Sequence, residues 1–479
     1  MLQKESREEK NKENRNAFAG DSVKCITEFG AVGDGVTLDT QAIQQTIDFC
    51  AAAGGGTVVV PAGVFLIGTI YLRSRITLHL EAGARFKGSP NIDDYCADDA
   101  YPQNWPCFKE GWRGAHLLVA CNCEDVTVTG PGTIDGNCEA FFTPEPVKQR
   151  WAGGLGWARG VRITDPAKAE YRPGQMMVFI QCRRVRVTDL NLTNSPCWSC
   201  FLYGCDEVIV RGCFIDNPVD GINTDGIDID CCTRVTVSDC VITTGDDAIT
   251  LRASGSRLVG REAVCEDVTV SNCVLDSSVC AFRIGVGAGV IRHANISNIV
   301  IRYAGIGFLF QSSYGKAGAG VTMHDISVSS IRGHYTGHPA RIVAGSEDAG
   351  NAQIRDIVFR NYRTDCAGNI EIKGCPGTRP DGISFADCAF ALVKRPFPCR
   401  PEKVPTVFLD IARADGVRFR DCALDWREAE PEWRQTSRIE DACVDFEACT
   451  FPECPCRTVP RRRFLSVKGI FRRNIGERT

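Results

Sequence analysis

Residues 205–242 read CDEVIVRGCFIDNPVDGINTDGIDIDCCTRVTVSDCVI. One unit occurs twice in this stretch: a cysteine three residues before a hydrophobic–x–hydrophobic pair, then a second cysteine five residues after the start of that pair. Its copies are Cys205, Val208 and Cys213, then Cys232, Val235 and Cys240. Followed outward in both directions, the hydrophobic start recurs at Val126, Val185, Val208, Val235, Val268, Ala294, Ile326, Ile357, Ile383, Val417 and Val444. From Val185 onward the starts stand 23 to 34 residues apart. Short β-branched segments at such a variable period suit the coils of a solenoid, each coil burying its apolar face against the next. The expected fold is all-β, a single-stranded right-handed parallel β-helix, with the longer gaps taken up by loops on one face.

The cysteines follow the same period. Cys213, Cys240, Cys273, Cys388, Cys422 and Cys449 lie five residues after a start, whereas Cys123, Cys182, Cys205, Cys232 and Cys265 lie three before one. Equal offsets in stacked coils place side chains directly above one another, so these thiols are expected to form interior ladders in which cysteine acts as a small hydrophobe. Neither Cys231-Cys232 nor Cys454-Pro455-Cys456 has the ligand spacing of a zinc site. The cysteine total of 27 is odd. With no apolar signal segment in the first 20 residues, this favours reduced thiols and a cytoplasmic location.

Composition narrows the function. Among 479 residues, 55 Lys and Arg stand against 59 Asp and Glu, a net charge of −4. That balance gives no basic field for nucleic acid. The longest apolar stretch, TVVVPAGVFLIGTI at 57–70, is interrupted by Pro61 and Gly63 and is too short to span a bilayer. Neither a nucleic-acid nor a membrane partner is expected. Residues 1–20 are charged and read as a disordered tail, 21–455 as the β-helix, and 456–479 as a basic tail. Near the start, Ala42, Ile43, Ile47, Phe49 and Cys50 form a helical stripe between Asp39 or Thr40 as cap and Gly54 to Gly56 as stop, a short helix that would cap the first coil.

The chemistry is concentrated at 217–254, where carboxylates are dense. Aligning the strand residues of neighbouring coils pairs Ile227 with Ile249 and Ile229 with Leu251. On that register Asp225 lies beside Asp247, with Asp246 next to them. Three carboxylates within a few ångströms repel if all are ionised, so an acid and a base are available together. Glycoside hydrolysis needs this combination, a carboxylic acid to protonate the leaving oxygen and an ionised partner to activate water or attack the sugar carbon.

The motifs NTDGID at 223–228 and GDDAI at 245–249 resemble those of the polygalacturonase family, glycoside hydrolase family 28, of the pectate-lyase-like β-helix superfamily. NSPCW at 194–198, GPGTIDG at 130–136 and FGAVGDGVTLDTQAI near the N-terminus extend the resemblance over roughly residues 23 to 330, in the family's order. The resemblance implies that Asp246 is the general acid, that Asp225 and Asp247 hold and activate water, that the anomeric carbon inverts, and that no metal or organic cofactor takes part. Inversion is expected to go with an acid–base spacing of ~6.5–9.5 Å. Asn223, Asp228, Arg283 and Gln311 are the candidate substrate-binding residues.

Two departures stand out. The family's Gly-His-Gly segment falls near Ser278, Val279 and Cys280, with Val279 in the histidine's place. Its Arg-Ile-Lys segment, which binds the galacturonate carboxylate, falls near Leu309, Phe310 and Gln311. Arg283 is the first candidate for a replacement cation, as a substrate contact or a structural ion pair, and Arg252 and Lys316 follow. Without such a cation, the cleaved position would take a neutral sugar. Trp198 reads as a sugar platform or as packing against the coil, and His293 as a surface or turn residue. The expected activity is that of an inverting glycosidase on pectin-derived or related oligosaccharides, probing them from a chain end. A lyase or epimerase on the same β-helix, or a non-catalytic carbohydrate-binding β-helix, remains open.

Overall fold

A computed structural model describes residues 23–96, 114–149, 156–161, 172–255, 258–313, 320–344, 352–395 and 404–456. Residues 1–20, the basic segment after Cys456, and Lys316 lie outside these. Almost every strand pairs in parallel with its equivalent one coil on, and the stack runs from Val23–Cys25 to Val444–Glu447. The repeat starts read from the sequence stand in register: Val126 beside Val185, then Val208, Val235, Val268, Ala294, Ile326 and Ile357. Val417 pairs with Val444 at the far end. An antiparallel pair, Phe142–Gln149 with Trp157–Val161, forms a separate two-stranded sheet that the buried Arg159 ties to Glu139 and Asp220.

Alternate residues of each strand point inward and build one continuous apolar core. Identical side chains stack along it. Phe359, Phe385, Phe419 and Phe446 form a ladder with ring centroids 4.6, 5.0 and 5.3 Å apart and nearly parallel planes. The cysteine ladders form as expected: of the eleven thiols at equal offsets, all but the half-exposed Cys449 are buried, and the described cysteines are free thiols. Burial and neighbouring thiols raise the pKa of most of them; Cys265 and Cys422 are pushed up to about 12.

Each coil bends sharply at residues held in the left-handed region. One such corner directly precedes a repeat start, at Asp125, Arg184, Glu207, Arg234, Asp267, His293, Asp325 and Asp356, with φ between 51° and 59°. Asp tolerates this region better than most residues, but the position is imposed on Arg, Glu and His as well. His293 is therefore a corner residue, half exposed between Asp267 and Asp325.

The cap helix α1 spans Thr40–Ala52 and buries Ile43, Thr46, Ile47 and Cys50 over the first coil. Two details differ from the sequence reading. Phe49 faces outward, 52% exposed, against Phe29. The carboxylate of Asp39 accepts from Val32 N and Gly33 N of the preceding loop and makes no bond to the helix's own N–H groups. No helix among the described residues is long and apolar enough to cross a membrane.

Candidate active site

One face of the stack carries the site. Its strands Met177–Ile180, Cys200–Tyr203, Ile227–Asp230 and Ile249–Ala253 lie in successive coils. Ile227 pairs with Ile249 and Ile229 with Leu251, the register read from the sequence. The ladder continues into the preceding turns, where Ser199 N donates to Asp225 O at 2.9 Å, Gly226 N to Asp247 O at 3.0 Å and Ala248 N to Cys280 O at 2.8 Å. Asp225 and Asp247 thus come side by side. One carboxylate oxygen from each of Asp225, Asp246 and Asp247 lies within 4.8 Å of the others.

The glycines of the two motifs make this approach possible. A Cβ on Gly226 would stand 2.3 Å from Ala248 O, and one on Gly245 would stand 2.4 Å from Gly221 O. Neither position has room for a side chain. The turn carrying Asp225 is also pinned by Asn217, which accepts from Ser195 N at 2.9 Å and donates to Ser199 Oγ at 2.7 Å and Thr224 O at 3.2 Å. The backbone of Asp246 is held through its carbonyl by the hydroxyls of Thr244 and Ser277, each at 2.6 Å.

The three carboxylates are not equivalent. Asp225 and Asp247 are recessed, 4% and 2% exposed, whereas Asp246 is partly open. Asp247 meets Arg283, whose Nη1 stands 3.4 Å from its Oδ2 while Nη2 donates to Gln311 Oε1 at 3.3 Å. Arg283 therefore spans from the acid cluster to the next coil and gives Asp247 a counter-charge. These three aspartates are also the one group among the described residues close enough to share a cation. Their nearest oxygens lie closer than the ~6.5–9.5 Å attached to inversion in the sequence reading.

Of the other candidates, Asn223 sits at φ 52° and accepts from Arg172 Nη2 at 3.0 Å. Arg172 also donates to Pro196 O and Ile222 O, tying the NSPCW turn to the NTDGID turn. Asp228 does not belong with the substrate contacts. It is fully buried, accepts from Thr250 Oγ1 and stands 3.7 Å from Arg252. Arg252 pairs with Asp230 as well, at 3.4 Å, and lies 4.4 Å over the Trp198 ring. Trp198 is thus packed under a cation, 2% exposed, and is no sugar platform. Where the resemblance led to a histidine and cations, Val279, Cys280, Ile306 and Leu309 form a buried apolar cluster. Cys280 stands next to Asp247, and burial followed by the charge of Asp247 pushes its thiol well above the usual range.

Comparison with known proteins identifies the family. The model of "Glycosyl hydrolases family 28" matches residues 50–265, which include all three aspartates. A "Probable polygalacturonase" of Vitis vinifera is 30% identical over 437 residues, 83% of this chain and 79% of the relative. The chain belongs to glycosyl hydrolase family 28. An "Exo-poly-alpha-D-galacturonosidase" of Dickeya chrysanthemi is 28% identical to this family 28 chain over 305 residues, 57% of the chain and half of the relative. Among solved structures, the family 28 exopolygalacturonase of Yersinia enterocolitica superposes with a TM-score of 0.65 at 20% identity, covering 90% of this chain and 79% of that one. That likeness shows the right-handed β-helix. As a family 28 member, the chain is a glycoside hydrolase.

Proposed function

We propose that the protein hydrolyses uronate-containing, pectin-derived oligosaccharides from a chain end, with Asp246 as general acid and Asp225 and Asp247 holding the attacking water. The observation that carries this is the convergence of three carboxylates from two adjacent coils, one open and two recessed. A carboxylate that attacks the anomeric carbon has to reach it, and side chains as recessed as Asp225 and Asp247 are better placed to present a water than to form a glycosyl bond. Asp246 is the one open enough to meet a glycosidic oxygen. Depth, and not spacing, favours single displacement by water with inversion: oxygens within 4.8 Å are by themselves as close as those of a retaining pair. Chain-end action is supported by the exo-acting names of the Dickeya and Yersinia proteins. The stacked free thiols support a reducing, cytoplasmic compartment, where imported fragments would be the substrate.

The test is reducing-end release from oligogalacturonides. Asp246→Asn is expected to lower turnover by about 10²–10⁴-fold, the range for loss of a general acid, with the fold intact. Near-normal turnover by Asp246→Asn would reject the acid assignment.

A further inference from the structure

N-terminal of the acid cluster, on the row of turns that leads into the site face, lies a cavity of about 390 Å³. That is within the size range of a small-ligand pocket. Its polar walls are Arg85, Lys87, Asp135, Asn137, Glu139 and Asn194. Strand register fixes where it stands. Lys87 pairs with Asp135, Asp135 with Thr193, Thr193 with Asp216 and Asp216 with Thr243. Thr244, the next residue, donates to the carbonyl of Asp246. At ~4.8 Å per coil, Lys87 is four coils, or roughly 19 Å, along the axis from the acid's turn, and Asn194 only two. A sugar ring is about as long as one coil is high, so an oligosaccharide lying along the coils from the cut bond reaches the cavity within a few units.

The charged walls balance, two cations against two carboxylates, but they are not all paired with one another. Asp135, almost fully buried, is ion-paired with Arg85 and accepts from Asn194 Nδ2 at 3.1 Å and Asn137 N at 2.9 Å. Glu139 is paired with Arg159 at 2.8 Å. Arg159 pairs with Asp220 as well, at 3.0 Å. Lys87 has no ion pair among the described residues, so its ammonium is open to an added anion. Both asparagines hold left-handed backbones, φ 54° and 51°, and their amides are held by hydrogen bonds, Asn137 Nδ2 donating to Gly88 O at 3.0 Å. One unpaired cation beside carboxylate and amide groups that pair with hydroxyls is the complement of a sugar acid.

We propose that this cavity is a distal subsite for an anionic sugar unit, with Lys87 binding its carboxylate. The inference rests on the uronate reading above and places part of the recognition of charge away from the cleaved bond, where Leu309 and Val279 are apolar. Its test is Lys87→Gln, which keeps a long stem and removes the charge. Oligogalacturonides of two to six units serve as substrates, and tetragalacturonate as a binding probe in calorimetry. The wild-type to Lys87→Gln ratio of kcat/KM is expected to rise with chain length, to about tenfold for the longer oligomers. Tetragalacturonate affinity is expected to fall by a similar factor, and the loss to shrink at high salt. A ratio that is the same at every length, or unchanged affinity, overturns the subsite. Wild-type protein that cleaves no uronate oligomer overturns the substrate reading instead, and the binding measurement still decides whether Lys87 holds an anion.

Discussion

Replacing Arg283 with Gln separates two roles that one guanidinium can play. Arg283 and Asp247 are 8% and 2% exposed, so their contact is screened from water on both sides. Removing one partner of such a pair leaves a buried, uncompensated charge, which costs ~3–5 kcal/mol. A contact at 3.4 Å is long for an ion pair and belongs at the low end, about 3 kcal/mol. At about 1.4 kcal/mol per decade, this corresponds to roughly a hundredfold faster amide exchange wherever opening is limited by these coils. Ile249–Ala253 and Val274–Gly287 carry the two partners and are where the loss should appear. Stability is the appropriate readout because both residues border the reaction, so turnover falls whichever role is right. Adding Asp247→Asn removes the orphaned charge and is expected to restore most of the protection. Hydrogen exchange followed by mass spectrometry on wild type, Arg283→Gln and the double variant measures all three. Unchanged exchange in Arg283→Gln, or no recovery in the double variant, would refute the buried-pair reasoning and leave Arg283 as a residue that acts only on substrate.

NMR of the first-formed anomer should show inversion, and retention would instead require one of the recessed aspartates to be the nucleophile. Chelator should leave hydrolysis unchanged and no product should absorb in the ultraviolet; the opposite pair of results would favour a metal-assisted lyase. The ladder thiols, Cys213, Cys240 and Cys273 among them, should resist a thiol reagent in the folded protein while exposed Cys443 reacts at once; rapid labelling of the ladder would contradict stacked packing. Burial lowers the pKa of His116 and of His338 to about 4. Each is neutral in the fold yet protonates near 6.5 when unfolded, so the stability present above pH 6.5 is lost as pH falls towards 4, by about 3 kcal/mol per histidine at most. Urea midpoints measured against pH should show the fall, and His338→Gln should roughly halve it by leaving only the His116 contribution; an unchanged profile would mean that His338 is hydrated.

The fold and the core of the site were legible because both depend on register. In a parallel stack a residue's neighbour is its equivalent one coil later, so aligning Ile227 with Ile249 placed Asp225 against Asp247 without any three-dimensional information. What the sequence did not disclose depends on direction and depth. Asp228 shares the NTDGID motif with Asp225, and Trp198 closes the neighbouring NSPCW motif, but strand alternation and Arg252 bury them, and a motif does not report which way a side chain points. Asn217 and Arg172 set the Asp225 turn from neighbouring loops, and only Asn217, in an Asn-Pro turn, left any trace. The left-handed corners were missed because the backbone demands them of Arg184, Glu207 and His293 as readily as of Asp125, so no residue type marks them. Arg283 was undecided for a related reason. Its register places it in the column of Thr250 and Leu309, yet whether its guanidinium turns to Asp247 or to the cleft is a matter of rotamer and packing, which only the assembled coils determine.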